Sequence, residues 1–293
     1  MRKRFDINSN DNTLFVTEQC NNHCIMCCQP PKRKDDIDRL FSENIRLIRT
    51  APKGLKVLGI SGGEPTLLGD KLFELIAEIR QSLPETGIHL LSNGRAFANR
   101  VFAHRLKTVA GDKVCVGIPF HSDYHGDHDR IAGAKGAYEE TILGLYTLAS
   151  EGIEIELRIV LNRLNYSRLP LMSEFIGKNL PFVQWVAFLG MEKTGLAVRN
   201  LDKIWIEPRE YIPELTEAVQ RLYDWDIDTA IYNIPLCLLP KAYHQFAEQS
   251  ISDWKVKYQP CCKDCALREK CCGSFATSTE PYLGLKPFAY EDL

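Results

Sequence analysis

Apolar and charged residues alternate along residues 153–161, where every second position is isoleucine or leucine and three of the four positions between them are charged. Because successive side chains of a strand point to opposite faces of a sheet, this alternation predicts a strand with one apolar and one polar face. The apolar face suits packing against helices. The polar face is typical of a strand that lines the polar interior of an open barrel.

Segments with a helical period lie between several strand-like segments. In residues 72–83, five apolar side chains fall on one face of a helix. The predicted helices cover residues 37–49, 72–83, 138–150 and 208–223. The predicted strands cover residues 14–17, 57–61, 88–91, 114–120, 153–161 and 182–189.

Six strands that alternate with helices indicate parallel βα units joined by right-handed crossovers. In such folds, reactive residues gather at the carboxyl ends of the strands. The pattern changes after about residue 200, where the alternation gives way to a helix and then to a cysteine-rich segment. The sequence therefore predicts an α/β domain over residues 1–200 and a smaller extension over residues 201–293.

The composition argues against some classes of function. The 293 residues carry a formal net charge of −2, so the chain lacks the basic excess that a nucleic-acid footprint requires. No apolar run is long enough to cross a bilayer, and the basic segment 1–6 is not followed by the apolar stretch of a secretory signal. We therefore expect a cytoplasmic protein that binds neither nucleic acid nor membrane.

Nine of the eleven cysteines fall into two groups, one near each end of the chain. In a reducing compartment, clustered cysteines bind metal more often than they form disulfides. In the first group, Cys20, Cys24 and Cys27 are spaced by four and three residues, just after a predicted strand. Three thiolates suit a 4Fe–4S cluster whose fourth iron has no protein ligand, whereas a structural zinc site uses four ligands. The adjacent Cys28 is interpreted as a small apolar side chain.

A second motif, Gly62-Gly63-Glu64, follows the strand predicted over residues 57–61. Glycines at this place let the backbone approach a ligand closely, although such a motif alone is also typical of a turn. Together the two motifs resemble the radical S-adenosylmethionine (radical SAM) superfamily, with its Cys-x3-Cys-x2-Cys loop and Gly-Gly-Glu segment. The alternative for the cysteine motif is a zinc knuckle or three ordinary thiols.

The resemblance implies a partial (β/α)6 TIM-type barrel and a 4Fe–4S cluster held by Cys20, Cys24 and Cys27. The cluster would bind SAM, take an electron from a donor such as flavodoxin or ferredoxin, and cleave SAM to a 5′-deoxyadenosyl radical that abstracts hydrogen from the substrate. The residues that the resemblance assigns to SAM are Met26, Gly62, Gly63, Glu64, Ser92, Asn93, Ser122, Arg158 and Asn162. For the polar residues after Glu64, the alternative is a structural role in a turn or in the barrel interior.

In the second group, Cys262, Cys265 and Cys271 have a Cys-x2-Cys-x5-Cys spacing. This spacing resembles the SPASM and twitch extensions of radical SAM enzymes, which carry auxiliary 4Fe–4S clusters. The resemblance implies one auxiliary cluster with Cys237 as its fourth ligand. A structural zinc with four cysteine ligands is the alternative, because spacing alone does not distinguish iron from zinc. Cys262 and Cys271 each have a cysteine neighbour, so the register of these two ligands is open.

Four further stretches resemble one subgroup, the His-Xaa-Ser system radical SAM maturases of the HxsC type. These stretches are residues 27–32, 235–239, 250–255 and 272–275. The resemblance implies a maturase of a ribosomally made peptide, with a second radical SAM maturase as a partner. Two alternatives stay open: a radical SAM enzyme for a small molecule or nucleotide, and a metal-binding partner subunit without turnover of its own.

Overall fold

The computed structural model describes residues 5–6, 11–252, 254–277 and 282–292. Residues 1–4 of the basic segment, and Asp253 in one of the stretches that resemble the HxsC subgroup, lie outside the described residues. Contacts within the chain divide it into two compact units. The first unit contains the described residues of Met1–His23, Gln29–Pro119 and Ala132–Glu156. The second unit contains those of Cys24–Cys28, Phe120–Ile131 and Leu157–Leu293.

Within the described ranges, eight strands form one sheet, in which they follow the order of the sequence. They are β1 (Asp11–Phe15), β2 (Val57–Ser61), β3 (Gly87–Leu91), β4 (Val114–Pro119), β5 (Glu154–Val160), β6 (Trp185–Leu189), β7 (Asp228–Tyr232) and β8 (Ala247–Glu248). Pairs such as β1–β2, β3–β4 and β6–β7 are parallel. The predicted α/β class is therefore confirmed, and parallel strands in sequence order with helices agree with a partial TIM-type barrel.

Helices follow most of the strands, as βα units require. They are α1 (Ile37–Thr50), α2 (Asp70–Ser82), α3 (Arg100–Ala110), α4 (His125–Ala132), α5 (Ala137–Ser150), α6 (Leu169–Asn179), α7 (Leu196–Arg199), α8 (Leu201–Ile204) and α9 (Pro208–Asp224). In the part of the chain that the structure describes, no helix combines the length and the apolar character needed to cross a membrane.

The core of the first unit lies between its parallel strands and the helices that follow them. Alternate residues of β2, Leu58 and Ile60, are fully buried, and so are Leu72 and Ile76 on one face of α2. Burial of each such side chain contributes roughly 1.5–3 kcal/mol. This packing aligns the carboxyl ends of β1, β2 and β3, from which the first cysteine motif, the Gly-Gly-Glu segment and a Ser-Asn-Gly turn emerge.

The second unit contains the remaining sheet strands and a small antiparallel pair. Apolar residues of β6 and β7, among them Phe188 and Ile231, are fully buried. Strands β9 (Val256–Lys257) and β10 (Ser274–Phe275) pair in antiparallel register. The chain between β9 and β10 carries all five cysteines of the second group.

All six predicted strands are present, with shifts at some ends, and β7 and β8 extend the sheet beyond the six that were predicted. The largest shift concerns β1, which was predicted over residues 14–17 and ends at Phe15. Val16 is still buried and its N–H still donates to Ser61 at 2.9 Å, so the apolar pattern continues after the strand has ended.

Candidate functional site

A buried carboxylate fixes the chain between β1 and Cys20. Asp36 accepts hydrogen bonds from the Thr17 hydroxyl at 2.8 Å and from the backbone N–H of Glu18 at 3.0 Å. Asp36 directly precedes α1 but makes no capping hydrogen bond to that helix. The sequence analysis missed this residue, because an acidic residue before a helix ordinarily indicates a cap. Its carboxylate instead holds the chain that leads to Cys20.

The Gly-Gly-Glu segment is hydrogen-bonded, main chain to main chain, to the same stretch. The N–H of Gly63 donates to the Thr17 carbonyl and the N–H of Glu64 donates to the Gln19 carbonyl, both at 2.7 Å. A Cβ atom added to Gly63 would lie 2.0 Å from the Gln19 carbonyl oxygen, and one added to Gly62 would lie 2.6 Å from that of Thr17. The glycines are therefore required by a close approach of protein backbone, in addition to any approach of a ligand.

Glu64 is fully buried and its carboxylate accepts four hydrogen bonds. Thr66 donates its N–H at 3.0 Å and its hydroxyl at 2.8 Å, while the Ser92 hydroxyl and the Asn93 N–H donate at 2.7 Å each. Burial raises the pKa of Glu64, and the four donors oppose that rise. Three residues predicted to bind SAM, Glu64, Ser92 and Asn93, are thus brought together in the first unit.

The same network reaches Cys20. The Asn93 amide donates to the Asn21 side chain at 2.6 Å, and the Cys20 sulfur accepts the N–H of Asn22 at 3.3 Å. Burial raises the pKa of the Cys20 thiol, the Asn22 N–H opposes the rise, and the negative charge of Glu64 adds to it. Cys20 and Glu64 therefore share one electrostatic environment.

Arg95 clamps the loop that carries Cys20. Its guanidinium donates to the Asn21 carbonyl at 2.9 Å and to the Asn22 side chain at 2.7 Å. A planar guanidinium can hold two acceptors at once, which fixes the loop more firmly than a single contact would. The sequence analysis missed Arg95, although its position directly after the Ser-Asn-Gly turn was a usable signal.

In the second unit, the last part of the cysteine loop is held by backbone hydrogen bonds. The N–H of Cys27 donates to the Cys24 carbonyl at 3.0 Å, and the N–H of Leu196 donates to the Cys27 carbonyl at 2.8 Å. Met26 is buried and packs with an apolar group that includes Ile131 and Met191. The loop therefore presents Cys24 and Cys27 on either side of a buried methionine.

Two buried histidines follow β4 in the second unit. His121 Nε2 lies 3.9 Å from the Cys24 sulfur, and the backbone N–H of His121 donates to His128 Nδ1 at 3.4 Å. Burial lowers the pKa of His128 to about 4. Burial, and then the neighbouring His128, lower the pKa of His121 well below its ordinary value. Both rings are therefore neutral at pH 7.

The three other residues predicted to bind SAM also lie in the second unit. The Ser122 hydroxyl accepts the backbone N–H two residues later at 3.2 Å. The Asn162 side chain accepts from the N–H of Leu164 and donates to the Val160 carbonyl, both at 2.9 Å. Arg158 is half-buried on β5. Ser122 and Asn162 thus have structural partners, and a role toward SAM stays a prediction for all three residues.

The second unit contains a cavity of about 240 Å³. Its wall is apolar at Met26 and Met191. Its polar groups are Cys28 and the ion pair between Glu192 and Lys255, whose charged atoms lie 2.9 Å apart. The Cys28 thiol is accessible from the cavity, while desolvation by the surrounding wall, and then the charge of Glu192, raise its pKa. The thiol is therefore protonated at neutral pH.

Backbone amides point at two sulfurs of the second cysteine group. The Cys271 sulfur accepts the N–H groups of Leu236 and Gly273 at 3.4 Å each, and the Cys265 sulfur accepts that of Phe288 at 3.4 Å. The neighbouring Cys272 thiol lowers the pKa of Cys271 to about 6. Together with the two amides at its sulfur, this shift favours Cys271 as the thiolate of the doubled pair.

Cys272 behaves differently from its neighbour. Its thiol donates to the Gly273 carbonyl at 3.4 Å, and its side chain is buried with Ile251 and Phe275. The neighbouring Cys271 side chain, and then burial, raise the pKa of Cys272 well above its ordinary value. These contacts favour a neutral thiol that packs in a small apolar core.

Cys237 lies within electrostatic range of this group. Burial raises the pKa of Cys237 first, and the charges of Cys271 and Cys265 raise it further. Cys237 also raises the pKa of Cys262, to which burial contributes most. The charges of Cys271 and Cys265 thus act on Cys237, and that of Cys237 acts on Cys262, while a shared metal site stays a prediction. Among the described residues, no three Cys, His, Asp or Glu side chains lie close enough together to hold a single metal ion.

The family of the chain follows from a match along its sequence. A model of the Radical SAM superfamily matches residues 14–176, which is more than half of the chain and includes both the first cysteine motif and the Gly-Gly-Glu segment. The chain belongs to the radical SAM superfamily. This membership confirms the family resemblance, and it supports an enzyme that uses a 4Fe–4S cluster and SAM.

Two proteins that are similar in sequence have names that refer to haem-related reactions. The chain is 26% identical over 214 residues to the Fe-coproporphyrin III synthase of Methanosarcina barkeri, which is 71% of this chain and 51% of that protein. It is 27% identical over 252 residues to the AdoMet-dependent heme synthase of Nitratidesulfovibrio vulgaris, which is 84% of this chain and 63% of that protein. The chain therefore spans about half to two thirds of the length of these relatives.

Solved structures share the fold at low sequence identity. SuiB of Streptococcus suis bound to S-adenosylmethionine superposes with a TM-score of 0.61 at 12% identity, over 85% of this chain and 55% of that chain. The anSMEcpe protein with bound AdoMet and a peptide gives a TM-score of 0.53 at 18% identity, over 73% and 58% respectively. Two proteins solved with S-adenosylmethionine bound thus share the fold of this chain.

Proposed function

We propose that this radical SAM protein cleaves SAM reductively to a 5′-deoxyadenosyl radical, which abstracts hydrogen from a ribosomally made peptide. The observation that carries the proposal lies in the first unit. There the chain leading to Cys20 is hydrogen-bonded, main chain to main chain, to Gly63 and Glu64. A cluster ligand and a SAM-binding motif need such a fixed separation, because the reacting groups have to be held in a defined geometry.

Cys20, Cys24 and Cys27 would hold the cluster as thiolates, leaving one iron for SAM. The chemistry of the donors supports this set, since the Cys20 sulfur already accepts an N–H from Asn22 at 3.3 Å. When bound, the cluster supplies the single electron that cleaves SAM, after flavodoxin or ferredoxin has reduced it. The residues proposed to bind SAM are Met26, Gly62, Gly63, Glu64, Ser92, Asn93, Ser122, Arg158 and Asn162.

The side chains around these motifs have separate tasks in the proposal. Asp36 and Arg95 hold the stretch around Cys20 through its backbone and its neighbouring amides. Glu64 holds the turns after β2 and β3, so the main-chain groups that would face SAM stay in place. Met26, buried among apolar side chains of the second unit, would keep water away from Cys24, which packs against the same group.

Cys237, Cys262, Cys265 and Cys271 would hold an auxiliary 4Fe–4S cluster in an extension over residues 201–293. The amides directed at Cys265 and Cys271 support this set, because hydrogen bonds to sulfur stabilise thiolate ligands. The choice of Cys271 over its neighbour rests on the two amides directed at its sulfur, whereas the Cys272 thiol donates to a carbonyl and packs in an apolar group. Full ligation by four cysteines would fit a role in electron transfer or substrate positioning.

The size of the cavity in the second unit supports a peptide side chain as the reacting group. About 240 Å³ is less than the roughly 300–1,000 Å³ of pockets that hold drug-sized ligands. The same fold accommodates a peptide in SuiB, which was solved with the precursor peptide SuiA, and in anSMEcpe. The HxsC-type assignment, with a second radical SAM maturase as partner, belongs to this proposal.

A small-molecule substrate is the second candidate, since the two relatives are named for haem-related reactions. The proteins of those names would act on a tetrapyrrole, which is much larger than an amino-acid side chain. The third possibility is a metal-binding partner subunit without turnover. It would bind a cluster and leave SAM intact after reduction.

The first experiment counts iron and sulfide under anaerobic conditions and measures 5′-deoxyadenosine after reduction. Two cubane clusters predict about eight irons per chain in the wild type and about four in a Cys20/Cys24/Cys27→Ala triple variant, which should form no 5′-deoxyadenosine. Cys28→Ala is the matched control and should keep the wild-type iron content. Zinc on the early loop, or intact SAM in the reduced wild type, would contradict the proposal.

The same iron assay tests the ligand register of the auxiliary cluster. Cys271→Ala should lose about four irons, whereas Cys272→Ala should keep them, because only the first residue is placed as a thiolate ligand. Stoichiometric zinc in place of the lost iron would favour the structural zinc alternative. An iron loss in Cys272→Ala alone would reverse the register.

A further inference from the structure

His121 lies against a sulfur that the proposed function assigns to the cluster. Its Nε2 is 3.9 Å from the Cys24 sulfur, and both residues belong to the second unit. The imidazole is only 3% exposed. Within the described residues, its other ring nitrogen, Nδ1, has no hydrogen-bond partner. In the part of the chain that the structure describes, the hydrogen-bonding contact of this buried imidazole is therefore a sulfur, which calls for an explanation.

The ring is held in this position by its neighbours. The Asn165 side-chain amide donates to the His121 backbone carbonyl at 3.3 Å, and the His121 backbone N–H donates to His128 Nδ1 at 3.4 Å. The two imidazoles contact each other with ring centres 5.1 Å apart. The backbone of His121 is therefore held through both its carbonyl and its N–H, and its buried side chain packs against the His128 ring.

The contacts of the two ring nitrogens indicate which one carries a proton toward the sulfur. A protonated imidazole carries an N–H on both nitrogens, and a neutral one carries a single N–H on either Nδ1 or Nε2. A proton on Nδ1 would leave a buried donor without an acceptor, which is costly. A proton on Nε2 can be donated to the Cys24 sulfur, and a thiolate ligand accepts a hydrogen bond but cannot donate one.

We propose that His121 donates a hydrogen bond from Nε2 to the Cys24 thiolate and thereby raises the reduction potential of the SAM-binding cluster. The inference rests on the proposed function, because it requires the cluster to be held by Cys24. A donor at a ligand sulfur stabilises the reduced cluster, which carries one more negative charge. His121 is thus a positioning residue, since it acts through the Cys24 sulfur.

The test is a redox titration of the reconstituted full-length protein, followed by electron paramagnetic resonance. The signal that shifts on SAM addition identifies the SAM-binding cluster. In His121→Phe, the ratio of reduced to oxidised cluster at a fixed potential should fall about tenfold, which equals a shift of about 59 mV to lower potential for one electron. In His121→Gln, whose amide keeps a donor, the ratio should return toward the wild-type value.

His23→Phe is the matched control, because this exposed histidine lies in the same eight-residue stretch as Cys24. It should leave the potential unchanged. An unchanged potential in His121→Phe would overturn the inference while leaving the proposed function intact. A wild type that binds no cluster would overturn the proposed function itself, and the inference with it.

A second measurement covers the case in which His121→Phe does not retain its cluster. Wild-type protein labelled with ¹⁵N-histidine should show a hyperfine coupling from one imidazole nitrogen and one exchangeable proton at the reduced cluster. His121→Gln, if it binds the cluster, should lose the nitrogen coupling. A labelled wild type without that coupling would overturn the inference, because the proposed hydrogen bond requires an imidazole nitrogen beside the cluster.

Discussion

Glu64 holds two turns of the first unit with one side chain. Its carboxylate accepts four hydrogen bonds from Thr66, Ser92 and Asn93 and is fully shielded from solvent. A buried acceptor of this kind cannot be exchanged for a donor without leaving unpaired groups. The residue therefore contributes to stability whether or not SAM is bound.

Glu64→Gln should lower the free energy of unfolding of the metal-free protein by about 1–3 kcal/mol, because the new amide N–H₂ would face a donor. Urea denaturation followed by circular dichroism measures this change. Glu43→Gln is the control, since Glu43 forms an exposed pair with Arg39 on α1, and its loss should cost less than about 0.5 kcal/mol. Equal stabilities of the two variants would contradict the importance of the Glu64 network.

His128 should make the protein sensitive to acid. Its pKa is about 4 in the folded chain and roughly 6.5 in the unfolded chain, so between these values only the unfolded chain binds a proton. Its contribution to stability is complete above pH 6.5 and falls as the pH drops toward 4, by up to about 3 kcal/mol. The buried His121 acts in the same direction.

Urea denaturation of the metal-free protein at pH 7.5, 6 and 5 measures this dependence. His128→Phe should flatten the decline, whereas a variant of the exposed His104, His104→Phe, should decline as the wild type does. Parallel curves for wild type and His128→Phe would mean that other groups cause the loss.

For individual residues, the sequence predicted those that belong to recognisable motifs. It missed residues whose roles depend on contacts with distant parts of the chain. Ser92 and Asn93 were assigned from a short turn motif, and they do lie at Glu64. Asp36 and Arg95 serve backbone groups of the cysteine loop that are up to 74 residues away in sequence. Local spacing carries no information about such partners, so only the folded chain shows them.

Among the elements, the turn after β2 is the most constrained by its glycines. Gly63→Ala would place a Cβ atom 2.0 Å from the Gln19 carbonyl oxygen, which is a backbone atom. We expect a loss of stability of more than about 3 kcal/mol, or a displaced cysteine loop, because neither backbone can yield without breaking its hydrogen bonds.

Thermal unfolding and iron content of the reconstituted protein measure these effects. Gly54→Ala is the matched control, since nothing lies within 4 Å of an added Cβ atom there. It should unfold and load iron as the wild type does. A Gly63→Ala variant with wild-type stability and iron content would show that the close approach is not required.

The strands were predicted better than the helices, for a physical reason. Strand β2 has its predicted bounds, because a short apolar run ends at glycines that stop the strand. Helix α3 was missed, since the residues that it buries are Ala103, Leu106 and Ala110, two of them too small to produce a clear apolar period. Strand β8 has only two residues and no pattern of its own.

For the whole molecule, the substrate is the property that the fold leaves most open. The relatives named for haem-related reactions match this chain in sequence, and the structures solved with peptides match it in fold. Fold does not determine substrate, so the choice depends on the pocket. The cavity beside Met26 and Cys28 measures about 240 Å³ and includes the charged pair of Glu192 and Lys255.

Under the peptide proposal we expect coproporphyrin III not to bind, because the cavity of about 240 Å³ is smaller than the roughly 300–1,000 Å³ of pockets that hold drug-sized ligands. A titration followed by the absorbance of the porphyrin should show no saturable complex with the reconstituted protein, and 5′-deoxyadenosine formation should not respond to it. SAM cleavage without porphyrin is the control for active protein. Tight binding together with faster SAM cleavage would favour the small-molecule candidate over the peptide.

The hydrogen bonds that join Gly63 to Thr17 and Glu64 to Gln19 consist of amides and carbonyls alone. Dioxygen attacks iron and thiolates, but it does not attack the peptide groups of these bonds. A molecule that has lost an iron–sulfur cluster to air would therefore keep these two backbone hydrogen bonds. Repair would then need fresh iron, sulfide and a reductant, with no need for this part of the chain to refold.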